Sequence, residues 1–500
     1  MYLQINSFYV IICSNRGGIF VIAIKKFKKI VKKVLRKLKP KQKSKNKNVQ
    51  SKKTEIKKTK SNIKNNQPKN SIYVKIVCEQ TGWTYEQAKE HMDEFVKKGI
   101  DYNTYVTQRF YRSSKRRTKQ KLEYLAEKQQ DYINRVCEAT GWERENAIKE
   151  MDRIKEKFGL SYFKYCSYRF FTMTDEQIKE RLLHWKETAN NQINYAMKES
   201  GWSRKKVRLH MNKVRTVYDF PPDYYVLYRM WELTDEQIDT YARRKDSNRL
   251  YAKYNNKQDT VILKNKETFD KVYKDYIKRK FWINKETNYN EFLEFIDGLE
   301  YIFCKPIESG GGQGTEKIKI SDYKPKELYD YLMSKDKLLV EECVIQHPEI
   351  DKFIPGCVNT IRVVTLLKDG TCHFICSGIR IGHNDIVDNF HKDGMVCDVD
   401  IKTGTIVTPA IDRNGTTYEK HPITGYKFVG FKIPNWDMVL KLAEDAIKFH
   451  PGINYVGWDI AVCKDKAVII EGNSAPDLVL VQAPYARMKQ GKKYLFKPYF

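Results

Sequence analysis

Three hydrophobic patterns follow one another along the chain, and each predicts a different architecture. Between Lys25 and Lys39, apolar residues recur at helical spacing and lysine or arginine fills nearly every other position. Residues 71–245 repeat one helical pattern three times, whereas residues 246–500 hold short apolar runs separated by turn residues, as strands do. The order predicts an α+β protein in which a helical region precedes a region of strands.

Residues 1–38 combine an apolar stretch with the basic helix. Met1–Ile24 is interrupted by Ser14–Gly18, so neither half has the roughly 20 apolar residues of a spanning helix. It also lacks signal-peptide features, and we expect part of it to precede the true start of translation. A cationic helix with an apolar stripe is typical of an anionic membrane surface. Residues 22–39 are therefore predicted to bind the inner face of the membrane, which would make the protein cytoplasmic and peripheral. The alternatives for this segment are a helix docked on the protein itself or a basic arm that contacts RNA.

Charge and cysteine content refine this organisation. Most of the net charge of +30 lies in residues 25–70, which contain nineteen lysines and a single acid, Glu55. Because the rest of the chain carries a much smaller excess, a nucleic-acid partner is disfavoured. Residues 39–70 have almost nothing to bury and predict a disordered linker. The eleven cysteines show no paired zinc spacing and mostly lie in apolar runs, which indicates reduced thiols.

Residues 71–245 predict three helical repeats of about sixty residues. A Thr/Ser-Gly-Trp triplet recurs around Gly82, Gly141 and Gly201, and each tryptophan is followed nine residues later by a methionine. We expect these tryptophans and methionines to be core residues, and each glycine to end a helix. An arginine also recurs in each unit, for which we favour a structural role over binding of an acidic partner. The recurring residues are Trp83, Trp142 and Trp202; Met92, Met151 and Met211; Arg109, Arg169 and Arg229.

The most informative stretch is residues 452–476, in which two apolar runs flank Lys464-Asp465-Lys466. A hairpin with those three residues as its loop places Asp459 opposite Glu471, and Asn473 on the same face. Like charges directly opposite each other are destabilising. A magnesium ion would relieve this repulsion, since it prefers oxygen ligands. The alternative is a solvated acidic strand end.

These residues, in the setting GWDIAV…VIIEGNSAP, resemble the magnesium ligands of the ATP-grasp superfamily. The resemblance is closest to its sugar-transfer-associated family, is more distant to the ribosomal-protein glutamate ligases, and extends over about residues 300–485. It implies a catalytic ATP-grasp domain at residues 246–500, built of antiparallel sheets with packed helices. It also implies Mg²⁺ (two ions) on Asp459, Glu471 and Asn473, and ATP as cofactor.

From Ile302 onward, the sequence predicts a strand, a glycine-rich loop and a second strand. The backbone N–H groups of such a loop can bind phosphate groups. It is neither a Walker A loop nor a Rossmann fingerprint. The resemblance implies that the lysine before the loop and the loop itself contact the phosphates, and that a later acidic segment holds adenine. In that segment we favour Glu342 over Glu341. The implied ATP contacts are Lys305, Ser309, Gly310, Gly311, Gly312, Gln313, Gly314, Glu341, Glu342 and Val344.

Arg362 and Arg380 lie in apolar strand patterns and each needs an anionic partner. By resemblance, these two arginines stabilise the transferring phosphoryl group, and Asn389 lies in the loop near the acceptor; the three are the implied catalytic residues. Two departures from the family pattern are Asp393-Gly394, where two glycines are usual, and Pro476-Asp477, where Pro-Gly is usual. His347, His391 and His421 are candidate substrate contacts.

The resemblance implies an ATP- and Mg²⁺-dependent carboxylate–amine ligase that acts through an acyl phosphate. Its substrates would be a small carboxylate and an amine, with a cell-surface glycan precursor as the expected acceptor. A phosphotransferase that acts on a hydroxyl, or a non-catalytic membrane-associated scaffold, would share many of these features. The repeats would then be a docking surface or a spacer.

Overall fold

The computed structural model describes residues 2–5, 8–11, 67–285, 288–307, 314–383, 388–390 and 393–500. The chain divides into two compact units, Met1–Gln67 and Pro68–Phe500. In the first unit, β1 (Tyr2–Ile5) pairs with β2 (Phe8–Ile11) in antiparallel fashion. The basic helix expected at residues 25–39 lies outside the described residues, as does the expected linker up to residue 66. Within the described ranges, no helix has the length and apolar character needed to cross a bilayer.

The second unit begins with a helical region in which long helices alternate with short ones. The first helix of this region begins at Gln67. The helices are α1 (Gln67–Thr81), α2 (Tyr85–Val96), α3 (Tyr102–Thr107), α4 (Lys115–Thr140), α5 (Arg144–Phe158), α6 (Tyr162–Ser167), α7 (Asp175–Ser200), α8 (Arg204–Val217), α9 (Pro222–Leu227), α10 (Asp235–Asp239) and α11 (Arg244–Tyr254).

The same local signals end and start these helices in each repeat. Gly82, Gly141 and Gly201 all have positive φ, and the N–H of each donates to a carbonyl four residues earlier. Glycine suits this position because it adopts the left-handed conformation without a Cβ clash. Capping boxes precede α7 and α10 at Thr174 and Thr234, as the sequence predicts. These signals explain why the helices recur with the period of the sequence.

The recurring residues differ in their environments. All three methionines are buried, as expected. Trp83 and Trp202 are partly buried and pack against the apolar clusters of their units, whereas Trp142 is 36% exposed, contrary to expectation. Trp202 also lies under Lys206, whose Nζ is 3.8 Å from the ring centroid. An indole covers much of a small helical unit without needing to be enclosed by it, and cation–π contact favours this surface position.

The recurring arginines occupy an unusual backbone conformation. Arg109, Arg169 and Arg229 all have φ near +50°, and each immediately precedes a 3₁₀ turn. Arg229 also forms ion pairs with Glu199 at 2.8 Å and Glu232 at 2.5 Å, while Arg109 donates to the carbonyl of Val217 at 2.7 Å. The arginines therefore act inside the helical region.

Two antiparallel sheets follow the helical region. The smaller sheet has the order β3-β6-β4-β5, and the larger has the order β11-β10-β9-β8-β7-β12-β13. Their strands are β3 (Phe281–Ile283), β4 (Tyr301–Pro306), β5 (Glu316–Lys319), β6 (Leu338–Glu342), β7 (Ile361–Lys368), β8 (Thr371–Ile381), β9 (Met395–Val399), β10 (Ala410–Asp412), β11 (Thr417–Tyr418), β12 (Tyr455–Val462) and β13 (Ala467–Asn473). The accompanying helices are α12 (Lys266–Val272), α13 (Lys274–Ile277), α14 (Tyr289–Ile296), α15 (Pro325–Met333), α16 (Pro348–Asp351), α17 (Trp436–Phe449), α18 (Val479–Gln482) and α19 (Lys493–Phe496).

Each sheet has its own apolar core. In the smaller sheet, Trp282 and Val340 pack with Phe292 of α14 and Leu328 of α15. In the larger sheet, α17 covers a face built from β7, β12 and their neighbours. The mixed helix-and-sheet class, with a helical region before the sheets, is as the sequence predicts. The two cores are separate clusters, although Phe281 of β3 packs against the core of the larger sheet.

Candidate active site

The hairpin β12–β13 brings the three expected metal ligands together at its open end. Asp459 pairs directly with Glu471, and Gly457 pairs with Asn473. The loop, however, contains four residues, 463–466, and the register shifts by one residue between Asp459 and Ile460. Ile470 is the extra residue of this bulge. The predicted three-residue loop was therefore one residue too short, while the bulge offsets the extra loop residue and restores the expected Asp459–Glu471 pair.

Two arginines from neighbouring strands hold Asp459. Arg362 of β7 is the cross-strand partner of Asp459 and binds it in bidentate fashion, with Nε 2.5 Å from Oδ1 and Nη2 3.0 Å from Oδ2. Arg380 of β8 places its Nη2 3.1 Å from Asp459 Oδ2. The anionic partner expected for each arginine is therefore the carboxylate of Asp459. Bidentate pairing fixes the position of both groups.

The two facing carboxyls have opposite electrostatic environments. Burial alone would raise the pKa of Asp459, but the Arg362 and Arg380 guanidiniums outweigh it and hold that pKa well below its usual range. Burial and then the charge of Asp459 raise the pKa of Glu471, although the same arginines oppose this. The Glu471 side chain is nonetheless accessible to solvent. Among the described residues, no lysine or arginine forms an ion pair with Glu471, whereas Asp459 has two guanidiniums.

The donor set of this cluster fits a hard cation. It consists of two carboxylates and the amide of Asn473, whose Nδ2 lies 3.4 Å from Glu471 Oε1. Oxygen ligands without thiol or imidazole are those that Mg²⁺ prefers. No group of three or more His, Cys, Asp or Glu side chains that could hold a metal occurs among the described residues, so this set reaches three only with the amide.

A second charged cluster lies on the smaller sheet. Glu341 of β6 is buried and forms ion pairs with Lys305 of β4 and with Arg279. Arg279 also donates to the Ile469 carbonyl at 2.6 Å, and its Nη2 lies 3.8 Å from Asp270. Because Ile469 belongs to β13, the Arg279 guanidinium joins the two sheets. This cluster sets the spacing between Lys305 and the hairpin that carries the expected metal ligands.

The two glutamates at the end of β6 have different environments. Glu341 is buried among cations, whereas Glu342 is only partly buried and accepts a hydrogen bond from the Lys280 N–H at 2.9 Å. Val344, two residues further on, is partly buried against a small apolar cluster. The side chain favoured for adenine, Glu342, thus remains partly accessible, and Glu341 is committed to Lys305 and Arg279.

The glycine-rich loop is described only at its end. Ser309, Gly310, Gly311, Gly312 and Gln313 lie outside the described residues. Gly314 has φ +71°, and a Cβ there would lie 3.0 Å from Pro306 Cγ. This end of the loop therefore requires glycine for both conformation and space.

Lys266 and Arg279 are two cations that the sequence reasoning missed. Lys266, at the start of α12, donates to the Pro306 carbonyl at 2.6 Å, directly before the glycine-rich loop. Burial and then Lys305 lower the pKa of Lys266, while Glu471 and Glu341 oppose this. The Lys266 ammonium therefore lies between the two charged clusters. Both cations belong to the segment that precedes the smaller sheet, where no motif marks them.

The loop that follows β8 is held by its own hydrogen bonds. Asp388 accepts from the N–H of Thr360 at 2.8 Å and from its hydroxyl at 2.5 Å, and it faces Arg380 Nε at 3.4 Å. Asn389, the expected acceptor-site residue, comes next and is partly buried. The loop thus connects directly to the arginine pair.

The departure from paired glycines has a conformational explanation. Asp393 has φ +65°, which is the left-handed conformation usual for glycine and tolerated by aspartate. A Cβ on Gly394 would lie 2.6 Å from the Asp388 carbonyl oxygen, so only glycine fits there. The backbone shape that two glycines would allow is therefore available to this chain.

The candidate histidines do not converge on the site. His421 is buried, with Nε2 2.9 Å from the Gly382 carbonyl and Nδ1 accepting from two backbone N–H groups. His347 caps α16 by accepting from the Glu349 N–H at 3.2 Å. These are structural roles, and His391 lies outside the described residues.

Two antiparallel sheets that enclose a carboxylate–amide cluster and converging cations define an ATP-grasp domain. Residues 245–492 match the family model described as sugar-transfer associated ATP-grasp. This part of the chain is therefore a domain of the sugar-transfer-associated ATP-grasp family. No curated protein shows significant sequence similarity to the chain.

Several solved structures are similar to about half of the chain or slightly less. The ATP-grasp ligase PsnB, complexed with a minimal precursor, is 15% identical, with a TM-score of 0.29 and coverage of 49% of this chain and 62% of PsnB. D-alanyl-alanine synthetase A from Vibrio cholerae is 12% identical, with a TM-score of 0.29 and coverage of 48% and 64%. L-amino acid ligase from Bacillus licheniformis is 13% identical, with a TM-score of 0.26 and coverage of 43% and 41%. The match thus spans less than two thirds of each of these chains.

Proposed function

We propose that this protein is an ATP- and Mg²⁺-dependent carboxylate–amine ligase that acts through an acyl phosphate. The observation that carries the proposal is the pair of facing carboxylates, Asp459 and Glu471. In the part of the chain that the structure describes, two guanidiniums bind the first and none binds the second. Such a pair costs stability unless a further cation joins it. The ATP-grasp family assignment supports ATP-dependent ligation as the general type of reaction.

The residues of the candidate site would have the following roles. Asp459, Glu471 and Asn473 would hold Mg²⁺, which when bound would neutralise phosphate oxygens and orient them. Lys305 and the glycine-rich loop of residues 309–314 would bind the phosphates, and the segment from Glu342 to Val344 would bind adenine. Glu341 would hold Lys305 in place rather than bind the nucleotide.

Arg362 and Arg380 would supply the charge that a transferring phosphoryl group needs. Both guanidiniums are already fixed by Asp459, so little reorganisation is required when negative charge develops beside them. Their burial strengthens the interaction because little water screens it. Asn389, in the loop held by Asp388, would contact the acceptor.

The reaction conserves atoms in two steps. A carboxylate oxygen of the donor attacks the γ-phosphorus, and the bond to the bridging oxygen breaks to release ADP. The amine nitrogen then attacks the acyl carbon, inorganic phosphate leaves with the electrons of the C–O bond, and the nitrogen loses a proton. The products are an amide, ADP and phosphate.

Two finer parts of the proposal have weaker support. A cell-surface polysaccharide or its precursor as acceptor is supported only by the description of the family. Attachment to the inner face of an anionic membrane is supported by the basic, apolar-striped pattern of residues 22–39. Together they describe an enzyme that modifies a glycan precursor at the membrane surface.

The decisive experiment uses the full-length protein with MgATP, pooled amino acids and amino sugars, and hydroxylamine as a trapping amine. We expect ADP and phosphate in equal amounts, and a hydroxamate of the donor acid when hydroxylamine is present. Asp459→Asn and Glu471→Gln should abolish both products. Asp465→Asn is the matched control, since it removes the same charge from the exposed loop of the same hairpin.

Other outcomes would contradict the proposal. ADP formed without free phosphate, with a hydroxyl compound as acceptor, would indicate a phosphotransferase. Failure of the wild-type protein to bind a nucleotide in the presence of Mg²⁺ would indicate a scaffold. Products that persist in Asp459→Asn would exclude the assigned metal site.

A further inference from the structure

The third helical unit, α7 to α9 with its following 3₁₀ turn, has no core separate from the ATP-grasp domain. The second unit has its own apolar cluster, which includes Met151 and Tyr165. The cluster of the third unit instead includes side chains from β9, β10 and the segment after β13, and also Phe390, the neighbour of Asn389. Residues of the third unit thus help to bury the loop that bears the expected acceptor contact.

Hydrogen bonds reinforce this shared core. Gln482 exchanges two hydrogen bonds with the backbone of Ala242, at 2.7 and 3.0 Å. Arg487 donates to the Leu227 carbonyl at 3.1 Å. These contacts join residues that precede residue 245, where the family match starts, to residues within the match. The third unit is therefore continuous with the domain rather than a spacer before it.

One contact reaches the segment that directly follows the expected metal ligands. Tyr224 of α9 donates from its hydroxyl to Asp477 Oδ2 at 2.7 Å, and Asp477 Oδ1 accepts from the Val479 N–H at 3.0 Å. Ser247 of α11 donates to the Pro476 carbonyl at 2.9 Å. The helical side thus holds residues 474–477, which we call the post-ligand segment.

The post-ligand segment lies against the arginine pair. A Cβ on Gly457 would be 2.6 Å from Pro476 Cβ and 3.1 Å from Arg362 Cδ. Gly457 is also the cross-strand partner of Asn473. Pro476 therefore packs beside both Arg362 and β12, the strand that faces Asn473. A shift of Pro476 would be transmitted to Arg362 and to β12.

We propose that the third helical unit positions the metal-binding end of β13, with Tyr224 as the positioning residue that acts through Asp477 and the post-ligand segment. The effect on the expected metal ligands rests on the proposed function, whereas the holding of the post-ligand segment does not. Tyr224 touches neither the metal ligands nor the arginines, so it acts by holding the loop. The unit needed for activity would then begin before residue 245.

The experiment compares Tyr224→Phe with Tyr225→Phe in the full-length protein. Both substitutions remove one hydroxyl from the same helix, but the Tyr225 hydroxyl lies 3.2 Å from His210 Nδ1 and does not reach the post-ligand segment. Amide hydrogen exchange by mass spectrometry reports on residues 474–479 without any ligand. We expect exchange there to be about tenfold faster in Tyr224→Phe, the low end for a hydrogen bond to a charged group, and unchanged in Tyr225→Phe.

Calorimetric titration with ADP, with and without MgCl₂, tests the positioning role. We expect Tyr224→Phe to weaken binding of ADP with Mg²⁺ about tenfold and to leave binding without Mg²⁺ unchanged. Asp477→Asn should have the same effect, and the double variant should add little to either single variant.

Exchange that is the same in wild type and Tyr224→Phe would overturn the inference. Faster exchange with unchanged Mg²⁺ dependence would overturn the positioning role. A wild-type protein that binds no nucleotide with Mg²⁺ would contradict the proposed function and the positioning role together. The exchange data would in that case still decide whether the third unit holds the segment.

Discussion

Replacement of Glu341 by glutamine is the most direct test of how the two sheets are held together. The carboxylate of Glu341 is buried and compensates two cations, Lys305 and Arg279. Removing one partner of a buried ion pair costs about 3–5 kcal/mol, because a buried charge remains uncompensated. Arg279 would keep the Ile469 carbonyl and Asp270. We therefore expect the low end, about 3 kcal/mol, or a fall in Tm of about 6–12 °C for a domain of this size.

The loss of folding stability in Glu341→Gln should also depend on pH in a defined direction. Burial and then the charge of Glu341 raise the pKa of Asp270 well above its usual range. In Glu341→Gln that second influence is gone, so the Asp270 pKa falls and a larger fraction of the carboxylate is ionised beside Arg279 at neutral pH. In acid, Asp270 is protonated again, and Arg279 loses the negative charge that had replaced Glu341. The difference in stability between wild type and variant should therefore be larger at pH 5 than at pH 8.

Thermal unfolding followed by circular dichroism at both pH values measures these effects. Glu342→Gln is the matched control, since it removes the same charge from the neighbouring, partly exposed residue, and should cost less than about 1 kcal/mol. Equal Tm values for Glu341→Gln and Glu342→Gln would refute the reasoning. A penalty that grows toward alkaline pH would refute the role given to Asp270.

Two further predictions concern the helical region and the N-terminal segment. Burial and then Lys213 lower the pKa of His210 to about 4, in a setting that also includes Asp235 and Lys206. The unfolded chain then binds a proton that the folded chain does not, so this contribution to stability should fall by up to about 1.4 kcal/mol per pH unit between pH 6.5 and 4. Urea unfolding of His210→Asn should show a shallower acid loss than wild type, and parallel pH profiles would contradict the assignment. Replacement of the basic residues within 22–39 by serine should abolish co-sedimentation with vesicles that contain phosphatidylserine, at about 1 kcal/mol per cation, while undiminished binding would exclude the membrane role.

The sequence by itself determined the features that depend on local rules. The sixty-residue period, the glycines that end helices and the capping boxes at Thr174 and Thr234 all follow from backbone conformation and neighbouring hydrogen bonds. The residue types of the proposed metal site were equally visible, because two acids and an amide at the end of an apolar hairpin are an unusual pattern. The family match confirmed the class of domain that they indicated.

Register and electrostatic partners were decided by tertiary structure. Asp459 faces Glu471 only because a four-residue loop and a bulge at Ile470 offset each other, and neither follows from hydrophobic pattern. The choice between Glu341 and Glu342 depends on Arg279, which lies about sixty residues earlier in the chain. Burial on a strand is a local property, whereas compensation of a buried charge requires a partner from wherever the fold brings one. For the same reason, the contact of Tyr224 with Asp477 could not be foreseen.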